Sequence, residues 1–502
     1  MAKDGSELSS GRTVMPGDTP VNIGVLLNSP YRAERRVLEI QTKLHHWAKE
    51  APDRQFGDLF NLVADPAFLV LAWNRARENK GARSVGVDGV SVSLIERSAL
   101  GAEGFLEEVR ALLKARTFQP VPVREKTIPK ANGKVRRLGI PTIRDRIVQA
   151  SLKLVLEPIL EADFHSSSYG FRPRRRAQDA IEEIRYYARS RYEWVFEGDI
   201  AACFDEIDHT ALTERLRRRI GDRRVLALVK AFLKAGVLSE EGVNRESYTG
   251  TPQGGILSPL LANLALEVLD EHFAAKNRVF KWSNQRVRHR KRGGATYRLI
   301  RYADDFVVMV FGRRDQAEAL WDEVGDILAP MGLRLHPEKT QVTHIDEGFD
   351  FLGFRIRRHQ QRGSTRRLIY SYPSDKSLAS VKRKVKMVTK QGTHRPAEEV
   401  FKRLNQITCG WALYFKHGAS SQAFKDLDHF LWWRLNRWLA KQHPRQSMRW
   451  IIRHYFRQSR WWPEANGVRI RPTVDAHIER YRYRGSRIPN PWVHRPEPQL
   501  SP

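Results

Sequence analysis

Tyr302-Ala303-Asp304-Asp305 stands between a mixed segment, Arg298-Leu299-Ile300-Arg301, and an unbroken apolar run, Phe306 to Phe311. A run with no polar face belongs inside a sheet, and aspartate is a favoured turn residue, so the segment reads as a β-hairpin with two carboxylates at its bend. An ordinary surface turn would look similar. Two like charges at the mouth of a buried strand nevertheless repel one another unless a cation compensates them.

Chemistry that uses two divalent cations draws its acids from separate chain segments, so that both the attacking and the leaving oxygen are bracketed. Asp199 is the candidate for the distant acid. It follows Tyr192 to Gly198, an aromatic and β-branched stretch that reads as a strand ending at the carboxylate. Asp205, Glu206 and Asp208 compete for the role within the same segment, and Asp208 is equally placed to cap a helix over Thr210 to Arg219.

These two segments belong to an ordered series of eight. The others are Gly86-Val87-Asp88-Gly89, Ile128-Pro129-Lys130 with Arg136 to Pro141, Arg144 to Gln149, Ser168 to Pro173, Gly250-Thr-Pro-Gln-Gly-Gly255 with Leu257-Ser258-Pro259, and Phe351-Leu352-Gly353-Phe354. In this order they resemble the group II intron reverse transcriptase/maturases. The resemblance implies an α+β fold: a right-hand polymerase of fingers and palm with an antiparallel palm sheet, then an α-helical thumb (domain X) and a basic C-terminal DNA-binding region. It implies an RNA-directed DNA polymerase that binds its parent intron RNA, assists its splicing and copies it at a target DNA site from a DNA primer. Reverse transcriptases of the retron, CRISPR-linked or defence type, and a splicing cofactor with an inactive palm, are the alternatives.

By the same resemblance Asp199, Asp304 and Asp305 are the catalytic acids, and with the Ile200 carbonyl they hold Mg2+, the one metal expected. Lys130 and Arg136 grip the triphosphate of the incoming dNTP, Phe204 gates its sugar against a 2'-hydroxyl, and Gln253 packs near the templating base pair. The residues allow other roles. Phe204 can be a core ring. The Ala131-Asn132-Gly133 turn suggests a hairpin, on which only one of Arg136 and Arg137 can face a site. Gly254 and Gly255 permit close approach of backbone to nucleic acid.

Composition points to the same partners. The 502 residues carry 87 Lys and Arg against 57 Asp and Glu, a net charge of +30. A field of that size favours phosphate backbones through counterion release. A membrane partner is disfavoured, because no apolar run approaches the roughly eighteen residues of a spanning helix, Ala67 to Trp73 being among the longest. Residues 1–30 are polar without an apolar core and read as a flexible leader rather than a signal peptide. Two cysteines, Cys203 and Cys409, suit a reducing cytoplasm and are too few for a disulfide framework or for the cysteine-paired HNH endonuclease of many relatives. The expected location is cytoplasmic, on the nucleoid when target DNA is bound.

The remaining boundaries follow texture. Residues 31–118 read as helical N-terminal and first fingers elements, 119–372 as alternating strands and helices of fingers and palm, 373–443 as three thumb helices, and 444–502 as a basic, aromatic tail. Within the palm, 276–301 holds the basic insertion Gln285 to Gly294, expected as a solvent-facing loop or hairpin that touches RNA, or as an inert flexible loop. Arg286, Arg288 and Arg290 there, Lys382 and Lys384 in the first thumb helix, and Arg457, Arg460 and Arg484 in the tail are the candidate nucleic-acid contacts. Trp411, Tyr414 and Phe415 are expected to fill the thumb core. The tail aromatics suit base stacking, or else a small core of their own.

Overall fold

The computed structural model describes residues 22–129, 135–239, 244–245, 249–251, 254–361, 363–391, 394–457 and 461–493. Two compact units are formed, one from residues 1–164, 202–265 and 492–502, the other from residues 165–201 and 266–491.

The first unit is built on helices Pro30–Glu50, Pro66–Glu78 and Ile143–Glu161. The first of them buries Ala33, Val37, Gln41, Leu44 and Ala48, one stripe at helical spacing. Pro158 lies inside helix Ile143–Glu161, where it can donate no hydrogen bond to the Leu154 carbonyl one turn back. Gln41 makes up the loss, its side-chain amide donating to that carbonyl at 2.7 Å. Strands Val123–Pro129 and Val135–Ile140 form the expected antiparallel hairpin, with Ile128 opposite Arg136, and Val237–Leu238 adds in parallel. Asp145 is buried at the start of the long helix, paired reciprocally with Thr142 as a cap.

The second unit centres on a four-stranded antiparallel sheet in the order Thr296–Tyr302, Asp305–Phe311, Trp194–Asp199, Gln341–His344. Phe306 to Val310 are buried throughout, as their sequence requires. Beyond the sheet come strands Phe349–Phe351, Phe354–Gln360 and Arg367–Pro373, paired among themselves, and then helices Asp375–Gln391, Ala397–Phe415 and Ser421–Gln442. Three helices were expected there, and three form. Their own core is Val385, Phe401, Leu404, Leu431, Leu435 and Trp438, joined by Ile451 and Tyr455 of the tail.

Two expectations are corrected here. Trp411, Tyr414 and Phe415 do not fill that core; they face the strands, in one cluster with Phe351, Phe354 and Phe424, and the Tyr414 hydroxyl donates to the Leu352 carbonyl at 3.0 Å. The basic insertion is neither a loop nor a hairpin but a helix, Ser283–Lys291, none of whose residues is buried. Its charges mark it as solvent-facing, but they carry no apolar period from which a helix could be read.

Candidate active site

The bend of the hairpin is a two-residue loop, Ala303-Asp304, closed by the Tyr302–Asp305 pair. Ala303 takes the left-handed conformation, φ 58°, which costs a non-glycine residue roughly 1–2 kcal/mol and persists only where the surroundings enforce it. The enforcement comes from two directions. Ser167 to Tyr169 runs alongside the strand, the Tyr169 amide donating to the Arg301 carbonyl and the Arg301 amide to the Ser167 carbonyl. Gly170 then presses against the turn so closely that a Cβ there would sit 2.3 Å from the Ala303 nitrogen. From beneath, Arg301 and Asp270, both fully buried, form an ion pair, and the Arg301 guanidinium donates to the Ala303 carbonyl at 3.1 Å.

This rigid turn brings Asp305 directly opposite Asp199 in the ladder. Residues so paired project to the same face with their Cβ atoms about 5 Å apart. Strand Trp194–Asp199 is held at its end by residues 334–336, the His336 amide donating to the Asp199 carbonyl and the Ala201 amide to the Arg334 carbonyl. Ile200 is buried and bridged to Leu335.

Protein crowds the Asp305 carboxylate although water still reaches it. That crowding, then the charges of Asp304 and Asp199, push it up to about 6 against the pull of Lys339. Lys339 is ion-paired with Asp199, its Nζ 2.9 and 3.1 Å from the two carboxylate oxygens. Asp304 stands at the bend without completing a three-acid cluster: among the described residues no group of three or more His, Cys, Asp or Glu side chains is close enough to hold an ion. A cavity of about 470 Å³ opens beside the pair, lined by Glu197, Glu338, Lys339, Asp350, Arg355 and Lys376. Two facing carboxylates at the mouth of this cavity supply the hard oxygen donors that a hard divalent cation prefers.

The other candidates divide. Phe204 is half-buried on the short helix Cys203–Glu206 of the first unit. Asp208 caps the next helix, accepting from the Ala211 amide at 2.7 Å, so the capping alternative holds for it. Arg136 is exposed on its strand, and neighbouring Arg137 pairs with Glu125 at 3.3 Å. Gly254, φ 116°, does admit a close backbone neighbour, but that neighbour is the Gly139 carbonyl, 2.5 Å from where a Cβ would stand. Lys130, Gln253 and Arg460 lie outside the described residues.

Of the proposed nucleic-acid contacts, Arg288, Lys384 and Arg457 are exposed, and Lys382 lies over the Phe430 ring. Arg286 lies over Phe280. Arg290 is turned inward, stacked 3.9 Å over Phe311 and donating to the Tyr192 hydroxyl at 2.8 Å. Arg484 binds both oxygens of Asp179, at 2.8 and 2.7 Å, and donates to the Arg174 carbonyl at 3.2 Å. Both of these guanidinia are engaged within the protein. Sequence reasoning missed Lys339, Asp270 and Gly170. Gly170 lies in one of the eight quoted segments, but nothing local says which backbone it must touch, and Lys339 is one cation among 87.

Comparison with known proteins agrees with the geometry. Residues 128–356 match the family model described as reverse transcriptase (RNA-dependent DNA polymerase), and 378–456 match the group II intron, maturase-specific domain. Protein YkfC of Escherichia coli K12 is 38% identical over 361 residues, covering 68% of this chain and 93% of that one. Group II intron-encoded protein LtrA of Lactococcus lactis is 31% identical over 358 residues, covering 62% of this chain and 58% of its own length. A 91 kDa protein in the cob intron of Schizosaccharomyces pombe is 32% identical over 335 residues, 57% of this chain and 40% of that one. Among solved structures, telomerase from Candida albicans with a telomeric RNA fragment gives a TM-score of 0.36 at 14% identity over 71% of this chain and 70% of that, too low to carry an argument. The chain thus spans only just over half of LtrA, yet nearly all of YkfC, and on the two domain matches and these relatives it belongs to the group II intron-encoded reverse transcriptase/maturase family.

Proposed function

We propose that this protein is an RNA-directed DNA polymerase that binds its intron RNA, assists its splicing and copies it by extending a DNA primer at a target site. The observation that carries the polymerase half is the cross-strand pair of Asp199 and Asp305 at the end of a buried sheet, beside Asp304 on an enforced turn. The facing pair Asp199 and Asp305 would hold Mg2+, with Asp304 and the Ile200 carbonyl added on the family resemblance alone; when bound, the ion supplies countercharge and Lewis acidity for a primer hydroxyl and a triphosphate. The chain's own contribution is position. The Gly170 contact and the Arg301–Asp270 pair fix where Asp304 and Asp305 stand, and Lys339 keeps a positive charge against Asp199. On the family resemblance, Lys130, Arg136, Phe204 and Gln253 handle the dNTP, residues 119–372 are fingers and palm, 373–443 are the thumb, and the region after 443 meets DNA.

The maturase half rests on the match over residues 378–456. Cytoplasmic location is part of the same reading. Extension of a DNA primer annealed to an RNA template, with and without magnesium, tests the enzyme. Absence of magnesium-dependent DNA synthesis by the purified chain overturns the polymerase reading and leaves an RNA-binding splicing factor. Dideoxynucleotide termination at template-directed positions distinguishes copying from untemplated tailing.

A further inference from the structure

Helix Ser283–Lys291 takes no part in the site described above and buries none of its residues. Between Glu271 and Asp304 the sequence has no acid, while 276–292 carries eight Lys and Arg. A segment so charged and so free of buried residues has no reason to be ordered by burial of its own surface. It is held instead by one side. Arg286, His289 and Arg290, spaced three and four residues apart, all face the sheet side: Arg286 over Phe280, His289 against Phe280 at 5.0 Å and bonded to the Ala295 carbonyl at 3.0 Å, Arg290 on Phe311, Tyr192 and Thr296. Asn284, Val287, Arg288 and Lys291 repeat the same spacing on the opposite face, and all four are exposed. At the helix start Trp282 shows 70% of its surface, next to exposed Lys281.

An indole this exposed at the end of a cationic helix offers a large flat ring to a partner. Its surroundings specify which. The segment around it, 272–303, holds no acid and carries eight Lys and Arg within 276–292, a composition that matches a polyanion better than a basic or neutral partner. A flat ring flanked by cations takes a nucleobase on its face and phosphates at its sides, and bases are available for stacking only where a strand is unpaired. We infer that Trp282, with Lys281, Arg288, Lys291 and Arg292, forms a rigid docking surface for an unpaired loop of the RNA the protein binds, Trp282 stacking on a base. This deepens the reading of the protein as an RNA binder and rests on it. Arg290, a candidate contact by composition, is the bolt that fixes the surface to the sheet.

The test uses the full chain and three probes: an RNA hairpin with a ten-nucleotide loop, the same stem closed by a four-nucleotide loop, and a 20-base-pair DNA duplex. Trp282→Ala should weaken binding to the large-loop hairpin about fivefold or more, with the tight hairpin and the DNA duplex little changed. Replacing Arg288, Lys291 and Arg292 with Gln should flatten the salt dependence for the large-loop hairpin by up to about two units. Equal losses on all three probes, a loss confined to duplex DNA, or no loss overturns the proposal. Trp282 and the three cations are exposed, so folding is not at risk, and equal melting temperatures verify it. Extension of a short pre-annealed primer, measured in parallel, should match the unaltered protein. If the unaltered protein fails to extend, the polymerase reading falls while the hairpin comparison still decides the surface.

Discussion

The carboxylate turn at 302–305 and the tail segment at 480–484 are both short, both strongly charged and both next to aromatics, yet the structure uses them in opposite ways. At the turn, like charges are driven together: Asp199 faces Asp305 across the ladder and a buried scaffold holds them there. In the tail, unlike charges are matched: Arg484 binds Asp179, whose side chain is only 2% exposed, the Tyr481 hydroxyl donates to the same carboxylate at 3.0 Å, and Tyr483 stacks on Tyr186 at 4.7 Å. Repulsion that the fold maintains needs something from outside. Attraction that the fold completes does not. Charge density alone does not separate the two cases; the sign and burial of the neighbours do.

The contrast breaks most easily at the turn. Asp305→Asn should lower primer extension by roughly a hundredfold or more, the scale of losing one preorganised electrostatic group. In the presence of a chelator it should also leave the protein at least as stable as before, since the change relieves repulsion. Magnesium should raise the melting temperature of the unaltered protein and not that of the variant. A variant that melts several degrees lower in chelator would make Asp305 a structural acid and erase the distinction.

On the tail side the expected loss is stability. Asp179→Ala removes the partner of Arg484 and Tyr481 and the acceptor for the Arg176 amide, and should cost roughly 2–4 kcal/mol in urea unfolding. Arg484→Gln should cost less, about 1–2 kcal/mol, because its guanidinium is part-exposed and its side chain can still donate. DNA affinity and its salt slope should not change in Arg484→Gln; a slope flattened by about one unit would return this arginine to the DNA-contacting set.

Asp145 sharpens the comparison from a third place. Like Asp305 it is pushed up to about 6, here by burial, with the Thr142 hydrogen bond opposing. Asp88 adds only the smallest push, and no acid is paired with Asp145 across a strand ladder, so an elevated carboxylate by itself does not mark a metal site. Its folded value lies above the ordinary 3.8, so the carboxyl stabilises the fold below about pH 4 and loses that contribution as pH rises through about 6. Asp145→Asn should therefore equal the unaltered protein near pH 4 and gain about 1–3 kcal/mol above pH 6. Magnesium should not alter that difference. A gain that disappears on adding magnesium would make Asp145 a ligand.

How much of this was readable in the chain varies with the range of the interactions. The hairpin, its buried strand and the acid at the end of Trp194–Asp199 follow from local pattern, because alternation and turn chemistry are properties of neighbouring residues. The cap at Asp208 was legible for the same reason. What holds the turn was not: Gly170, Asp270 and Arg301 come from three segments, and a sequence shows neither that Arg301 is buried nor that Asp270 lies under it. The tail shows the converse failure. Its Arg and Tyr content allowed a DNA surface or a small core, and did not reveal that Asp179, some 300 residues earlier, binds Arg484 and Tyr481. Trp411 was assigned to the right kind of place and the wrong core, since a helix pattern tells that a ring is inside without telling inside what.

The smallest effect separates residues within the tail itself. From 480 to 483 the chain alternates, Tyr481 and Tyr483 turned against helix Ala177–Arg189 and Arg480 and Arg482 exposed between them. An extended segment must alternate in this way, and the face it buries fixes the face it shows. If the tail meets DNA, the contact therefore falls to Arg480 and Arg482. Arg480→Gln with Arg482→Gln should flatten the salt dependence of duplex DNA binding by up to about one unit per contact while leaving stability within about 0.5 kcal/mol. The opposite pattern, an unchanged slope with a clear loss of stability, would mean that both faces of the segment serve the fold and that DNA is held elsewhere.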